Sequence, residues 1–233
     1  MITSTGVDIS SIAFAQLCPI CAAHTTPSDL EEPFIFSVDG NIQHRRMKKR
    51  NTASQSSLSA PLFIINGTPA EEWDLLYGEN PSIEGSCSHT FHAVDKLTTM
   101  QYYDETGLLG EVCWHRIPLK YINMKVGERY SWMLFLVRSI TASAKASIND
   151  HEQSFTNYGL LYDIGCKFQA YVKHADPELY LHTKIRVNTF HIKVHELMCR
   201  ILWGPRRAVG FGESDGEGCE CDWAEKAHLV ASG

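Results

Sequence analysis

Two short apolar runs, each ending in an aspartate, limit the folds open to this chain more than any other feature. Phe34-Ile35-Phe36-Ser37-Val38 leads into Asp39, and Leu160-Leu161-Tyr162 leads into Asp163. Runs this short, rich in Phe, Ile, Val, Leu and Tyr, predict buried strands, and Asp39-Gly40-Asn41 carries the chemistry of a tight turn. Carboxylates delivered to strand ends converge easily at one edge of a sheet. Mg²⁺ or Mn²⁺ binds such oxygens and keeps water for a phosphate, so two aspartates and a third acid suit a two-metal phosphoryl-transfer site. Asp215, Glu217 and Glu220 supply the third acid from one segment. Acids at a helix start also cap amides and complement the dipole, which is the plainer reading of them.

The remaining pattern alternates strands and helices. Leu62–Ile65 suggests a strand edge, and 69–86 an irregular insertion with a helical turn at Glu71–Tyr77. Thr90–Tyr102 reads as mostly helical or mixed. Gly107–His115 reads as a strand broken by glycines, Leu119–Met124 as a second strand, and Tyr130–Ile140 as a helix. Cys166–Ala175 has helical spacing, Lys184–Val194 alternates like a strand, and Glu196–Trp203 suits a helix. Gly210–Gly218 is a glycine-rich turn into a closing helix over Cys219–Val230.

At 26.2 kDa the chain supports one principal domain, here 33–233, preceded by an approach segment over 1–32. A net charge of -6 argues against a uniformly basic nucleic-acid coat, so DNA contact must be local. Two basic points qualify. Arg45, Arg46, Lys48, Lys49 and Arg50 lie in the run HRRMKKR, before a mobile loop over Asn51–Ala60; Arg206 and Arg207 follow Pro205. Such a run can grip phosphates or serve as a nuclear address, and equally can be a solvated loop. No segment is long and apolar enough for a membrane helix, and Met1–Ala15 lacks the pattern of a secretory signal.

Eight cysteines and eleven histidines, expected in a reducing compartment, lean toward metal over disulfides. Cys87, Cys113, His115, His191, His195 and Cys199 offer donors from which a tetrahedral structural zinc could draw four. His195 and Cys199 are one helical turn apart and share a face, although a core histidine beside a core cysteine has the same spacing. Cys18-Pro19-Ile20-Cys21 is half of a zinc knuckle, with partners expected upstream or at His24. Cys219 and Cys221 read as incidental.

The segments VDGNIQ, CSHTFHA, DETGLLGEVCWHRIPL, YINMKVGERY, LLYDIGCKF, FHIKVHELMC, GPRRAVGFGESDGEGCE and DWAEKAHLVASG, in this order, resemble the Kyakuja-Dileera-Zisupton transposases. That resemblance implies an α/β fold, a ribonuclease-H-like mixed sheet flanked by helices with insertions. It also implies a DDE site that cleaves transposon ends and joins them to target DNA, in the nucleus and in assemblies with further copies of the chain. Carried across, the first acid is Asp39 and the second Asp163. The third lies in DGEGCE, with Glu217 favoured over Glu220 because DGE matches the family pattern. Where the family usually reads Glu-Arg and then Trp, this chain has Glu220-Cys221-Asp222-Trp223, and it stops at Gly233 where more helix is expected. A truncated, catalytically inactive remnant that binds DNA or zinc is therefore the alternative. A zinc hydrolase unrelated to DNA finds no HExxH motif to support it.

Overall fold

The computed structural model describes residues 18–23, 32–47, 64–65, 67–78, 87, 102–125, 127–147 and 157–229. In chain order these form α1 (Pro19–Ala23), β1 (Phe34–Asn41), β2 (Arg46–Met47), β3 (Ile64–Ile65) and α2 (Gly67–Tyr77). β4 (Tyr103–Glu105), β5 (Gly107–Cys113), β6 (Pro118–Met124), α3 (Tyr130–Ser147) and β7 (Tyr158–Leu161) follow. The chain continues through α4 (Gly165–Ala175), α5 (Pro177–His182), β8 (Thr183–Arg186), α6 (Leu197–Trp203) and α7 (Gly218–Lys226). Six strands form one mixed sheet in the order β3-β6-β5-β1-β7-β8, and β2 pairs separately with β4. β1 is antiparallel to β5 and parallel to β7, so the sheet changes sense at its middle strand.

Alternation along β1 sorts its side chains between two layers. Phe34, Phe36 and Val38 join the large core formed with Trp132, Phe135 and Leu136 of α3 and Phe168 of α4. Ile35 points the other way, against Leu161 and Phe211, and Ser37 reaches Cys219 at the start of α7. α3 therefore lies on one face and α7 on the other. The same alternation runs along β5 and β6, where Val112 and Tyr121 pack with Cys219 and Trp223 of α7. On the α3 face, Glu111 and Lys120 are cross-strand neighbours and both are buried. Lys120 Nζ donates to Ser139 O at 3.1 Å and to Ser143 Oγ at 2.8 Å, with Ser139 Oγ at 2.6 Å.

Several elements depart from the sequence expectation for local reasons. The helix foreseen over Tyr130–Ile140, with Ala and Ser residues following that suit a helix, runs on to Ser147; within it Thr141 and Ser143 turn their hydroxyls back onto the carbonyls of Val137 and Ser139. The strand foreseen over Lys184–Val194 ends at Arg186: Val187 N donates to Trp203 O, outside the ladder, and His191–Val194 is a 3-10 turn. α5 is an unforeseen helix, started by Asp176, which accepts from Leu179 N at 3.0 Å, and by Pro177 in the first turn. The glycines of Gly107–Cys113 do not break the strand. Gly110 lies opposite Asp39, and a Cβ there would stand 2.5 Å from the Trp223 ring. α2 is a full helix where a single turn was expected at Glu71–Tyr77, and Arg46–Met47 is a short strand within the basic run. The expectations over Asn51–Ala60 and over residues 90–101 fall outside the described residues. Among the described residues, no helix is long and apolar enough to cross a membrane.

Candidate functional site

β1 and β7 are parallel neighbours with Ser37 opposite Leu161. Ser37 meets Cys219 of α7 and Leu161 packs with Ile35 on that same face; Asp39 follows two residues on in β1, and Asp163 lies in the turn two residues past the end of β7, so both leave the pairing at the same end of the sheet. Asp39 Oδ2 accepts from Trp223 Nε1 at 2.7 Å, which binds the carboxylate to α7. Glu220 stands three residues before Trp223 on that helix, hence on the same side of it. Gly216, at φ +83°, lets the preceding loop pass close to Asn188 and Leu161: a Cβ there would stand 2.9 Å from Asn188 Oδ1.

The result is a crowd of carboxylates. Asp163, His191 and Glu220 each offer a ligand atom within 4.8 Å of the others. His191 Nδ1 lies 3.0 Å from Asp163 Oδ1 and 3.5 Å from Glu220 Oε1, and Asn188 Nδ2 donates to Asp163 Oδ1 at 2.9 Å. Asp39 is held well above the usual carboxylate range by burial first and then by the charges of Asp163, Glu128 and Glu220. Burial, with Asp163 and Glu217 nearby, pushes Glu220 up to about 7. His191 is raised to about 8, chiefly by its contact with Asp163. Both oxygens of Glu220 are shielded from solvent with no hydrogen bond among the described residues.

Glu128 is the site residue that sequence reasoning missed. It sits in the turn before α3, accepts a hydrogen bond from Tyr162 and abuts Gly40, where a Cβ would stand 2.8 Å from Glu128 Oε2. Its carboxyl is raised by burial and by Asp163. In sequence it resembles any acid of a Gly-Glu-Arg turn. Glu217, the acid favoured from sequence, is the residue just before α7, and its Oε1 accepts from Phe190 N at 2.7 Å. Asp215 receives Glu217 N at 3.0 Å and lies 3.8 Å from Arg116.

The six zinc-ligand candidates do not come together as one set. Cys113 and His115 meet Cys18 and Cys21; Cys87, His195 and Cys199 meet Cys166; His191 belongs to the carboxylates. The CxxC thus finds its partners on the β5–β6 turn, while His24 lies outside the described residues. Each set of three cysteines and one histidine keeps its ligand atoms within 4.8 Å of one another and could hold a zinc ion. Of the basic residues, Arg45 lies over the Tyr103 ring at 5.1 Å, and Arg46 is paired with Asp104 at 2.7 Å and Glu105 at 2.8 Å. Arg206 and Arg207 are exposed in a 3-10 turn after α6. Lys48, Lys49 and Arg50 fall outside the described residues.

A mixed α/β sheet with acids gathered at its edge and thiol-rich clusters around it defines a class of candidate metal-binding proteins. The family model described as Kyakuja-Dileera-Zisupton transposase matches residues 33–232, and the chain belongs to that family. Neither comparison with curated proteins nor comparison with solved structures gives a match.

Proposed function

We propose that this chain is the catalytic core of a DDE-type DNA transposase on a ribonuclease-H-like sheet, with Asp39, Asp163 and Glu220 as the acids that hold Mg²⁺ or Mn²⁺. One observation carries the reading: the half-buried carboxyl of Asp39, held by Trp223 of α7, gathers with Asp163, Glu128 and Glu220 closely enough that their charges raise it. Among the described residues no Lys or Arg pairs with any of these four; Trp223, Asn188, Tyr162 and His191 are the groups that face them. Carboxylates so crowded and so little compensated fit a divalent cation.

When bound, such ions would lower the pKa of an attacking water or 3′ hydroxyl and stabilise the leaving oxygen. The protein's own part is positional. Adjacent parallel strands set the spacing of Asp39 and Asp163. Trp223 and Asn188 orient them, and α7 carries Glu220 over the same edge. Glu217, occupied by the Phe190 amide, steadies the loop that leads into α7. Membership of a transposase family supports DNA as substrate and the nucleus as the place of action; the exposed Arg206 and Arg207 would then contact phosphates, and further copies of the chain would join the two transposon ends.

Mn²⁺-dependent nicking of an oligonucleotide carrying a transposon end tests this reading. Asp39→Asn, Asp163→Asn and Glu220→Gln should each lower the rate by about a hundredfold or more, the scale seen when one charge-stabilising group is removed from an active site. Glu217→Gln should keep most of it, with circular dichroism confirming that each variant folds. Equal losses for Glu217 and Glu220 would overturn the choice of third acid. A wild-type chain that binds DNA without nicking it would favour the inactive remnant.

A further inference from the structure

We propose that the folded protein carries two structural zinc ions, one held by Cys18, Cys21, Cys113 and His115 and the other by Cys87, Cys166, His195 and Cys199. The inference is independent of strand cleavage, since none of these eight residues is among the acids assigned to that reaction.

The geometry is the first argument. Zinc at about 2.3 Å from sulfur and about 2.0–2.1 Å from nitrogen in a tetrahedron sets its ligand atoms roughly 3.5–3.8 Å apart. In the first set, His115 Nδ1 lies 3.1 Å from Cys21 Sγ and 3.8 Å from Cys18 Sγ, and Cys113 Sγ lies 3.5 Å from Cys18 Sγ. In the second, His195 Nδ1 lies 3.2 Å from Cys199 Sγ, 3.7 Å from Cys166 Sγ and 3.9 Å from Cys87 Sγ. Cysteines collected only for their apolar character have no reason to surround an imidazole nitrogen. The same composition nevertheless assembles twice, from separate stretches of chain, and accounts for six of the eight cysteines.

The donor set names the metal. Three thiols and one imidazole suit zinc and not the hard, oxygen-seeking Mg²⁺ or Ca²⁺. All four ligands come from the protein, so no position is open for a substrate and the role is structural. All six cysteines are buried, so each set is closed to solvent.

Each ion would clasp elements that the sheet alone does not join. The first fastens α1 to the end of β5 and the turn before β6. The second fastens the start of α4, just past Asp163, to α6 and to the segment after His191.

Elemental analysis of the full chain, purified from zinc-supplemented cells and freed of loose metal, should find two zinc ions per chain. Cys18→Ser with Cys21→Ser should remove one, and Cys166→Ser with Cys199→Ser the other. Because either variant could fail to fold, the wild-type chain is also refolded with cobalt. Two equivalents should then produce the visible bands of tetrahedral cobalt together with thiolate-to-cobalt charge transfer. One equivalent or none, bands of octahedral cobalt, or a disulfide among Cys18, Cys21 and Cys113 in chain prepared without oxygen would each overturn the proposal.

Discussion

Glu111 and Lys120 show how a single pair of residues can set a pH dependence. They are cross-strand neighbours under α3, and burial lowers Lys120 to about 8 from the ordinary 10.5, with Glu111 acting against that shift. Between those two values the unfolded chain keeps a proton that the folded chain has released, so stability rises with pH across that window. Below about 8 the folded state carries the full cost of burying the charge, on the order of 3 kcal/mol. Lys120→Met should flatten this rise, and thermal melting of both proteins between pH 7 and 10 measures it; parallel slopes would show that Lys120 is not its source. At this scale the sequence was informative where chemistry followed a run of residues. Asp39 and Asp163 stood out because each follows a short apolar run, although β1 continues past Asp39 to Asn41 and β7 ends two residues before Asp163. Glu217 and Glu220 could not be told apart in this way, because they differ by where α7 begins, and a helix start cannot be placed to that accuracy from sequence. Glu128 was hidden because nothing local separates it from a turn acid; only Gly40 and Tyr162, distant in the chain, bring it to the site.

Among the elements, α5 depends on one side chain. Asp176 caps its first turn and forms an ion pair with Arg138 of α3, so the same carboxylate starts one helix and ties it to another. Asp176→Ala removes both, and should lower stability by about 3 kcal/mol, the lower end for a broken buried pair because Arg138 keeps some access to water. Urea denaturation reads this directly, and a loss below about 1 kcal/mol, that of a cap alone, would show that the ion pair adds nothing. Most strands and helices were legible from apolar spacing. Where the strand pattern overran, a contact remote in sequence was the reason: the bond from Val187 to Trp203 takes the chain out of the ladder and ends β8 early.

For the molecule as a whole, stability should be linked to zinc. If both thiol clusters are filled, chelation should lower the melting temperature by roughly 5 °C or more, and zinc should restore it where magnesium does not. Calorimetry before and after chelation gives the answer; a melt unmoved by chelation would contradict a structural role for the clusters. The ligand sets could not be sorted from sequence, since Cys18 and Cys113 meet only once the sheet has formed. That same sheet has a consequence for how such a chain can vary. The spacing of Asp39 and Asp163 comes from the pairing of β1 with β7, and the long stretch of chain between them does not enter into it. Segments leaving that pairing can therefore lengthen, shorten or change their sequence while the two aspartates stay side by side, so that the connections can acquire new contacts without rebuilding the acidic edge of the sheet.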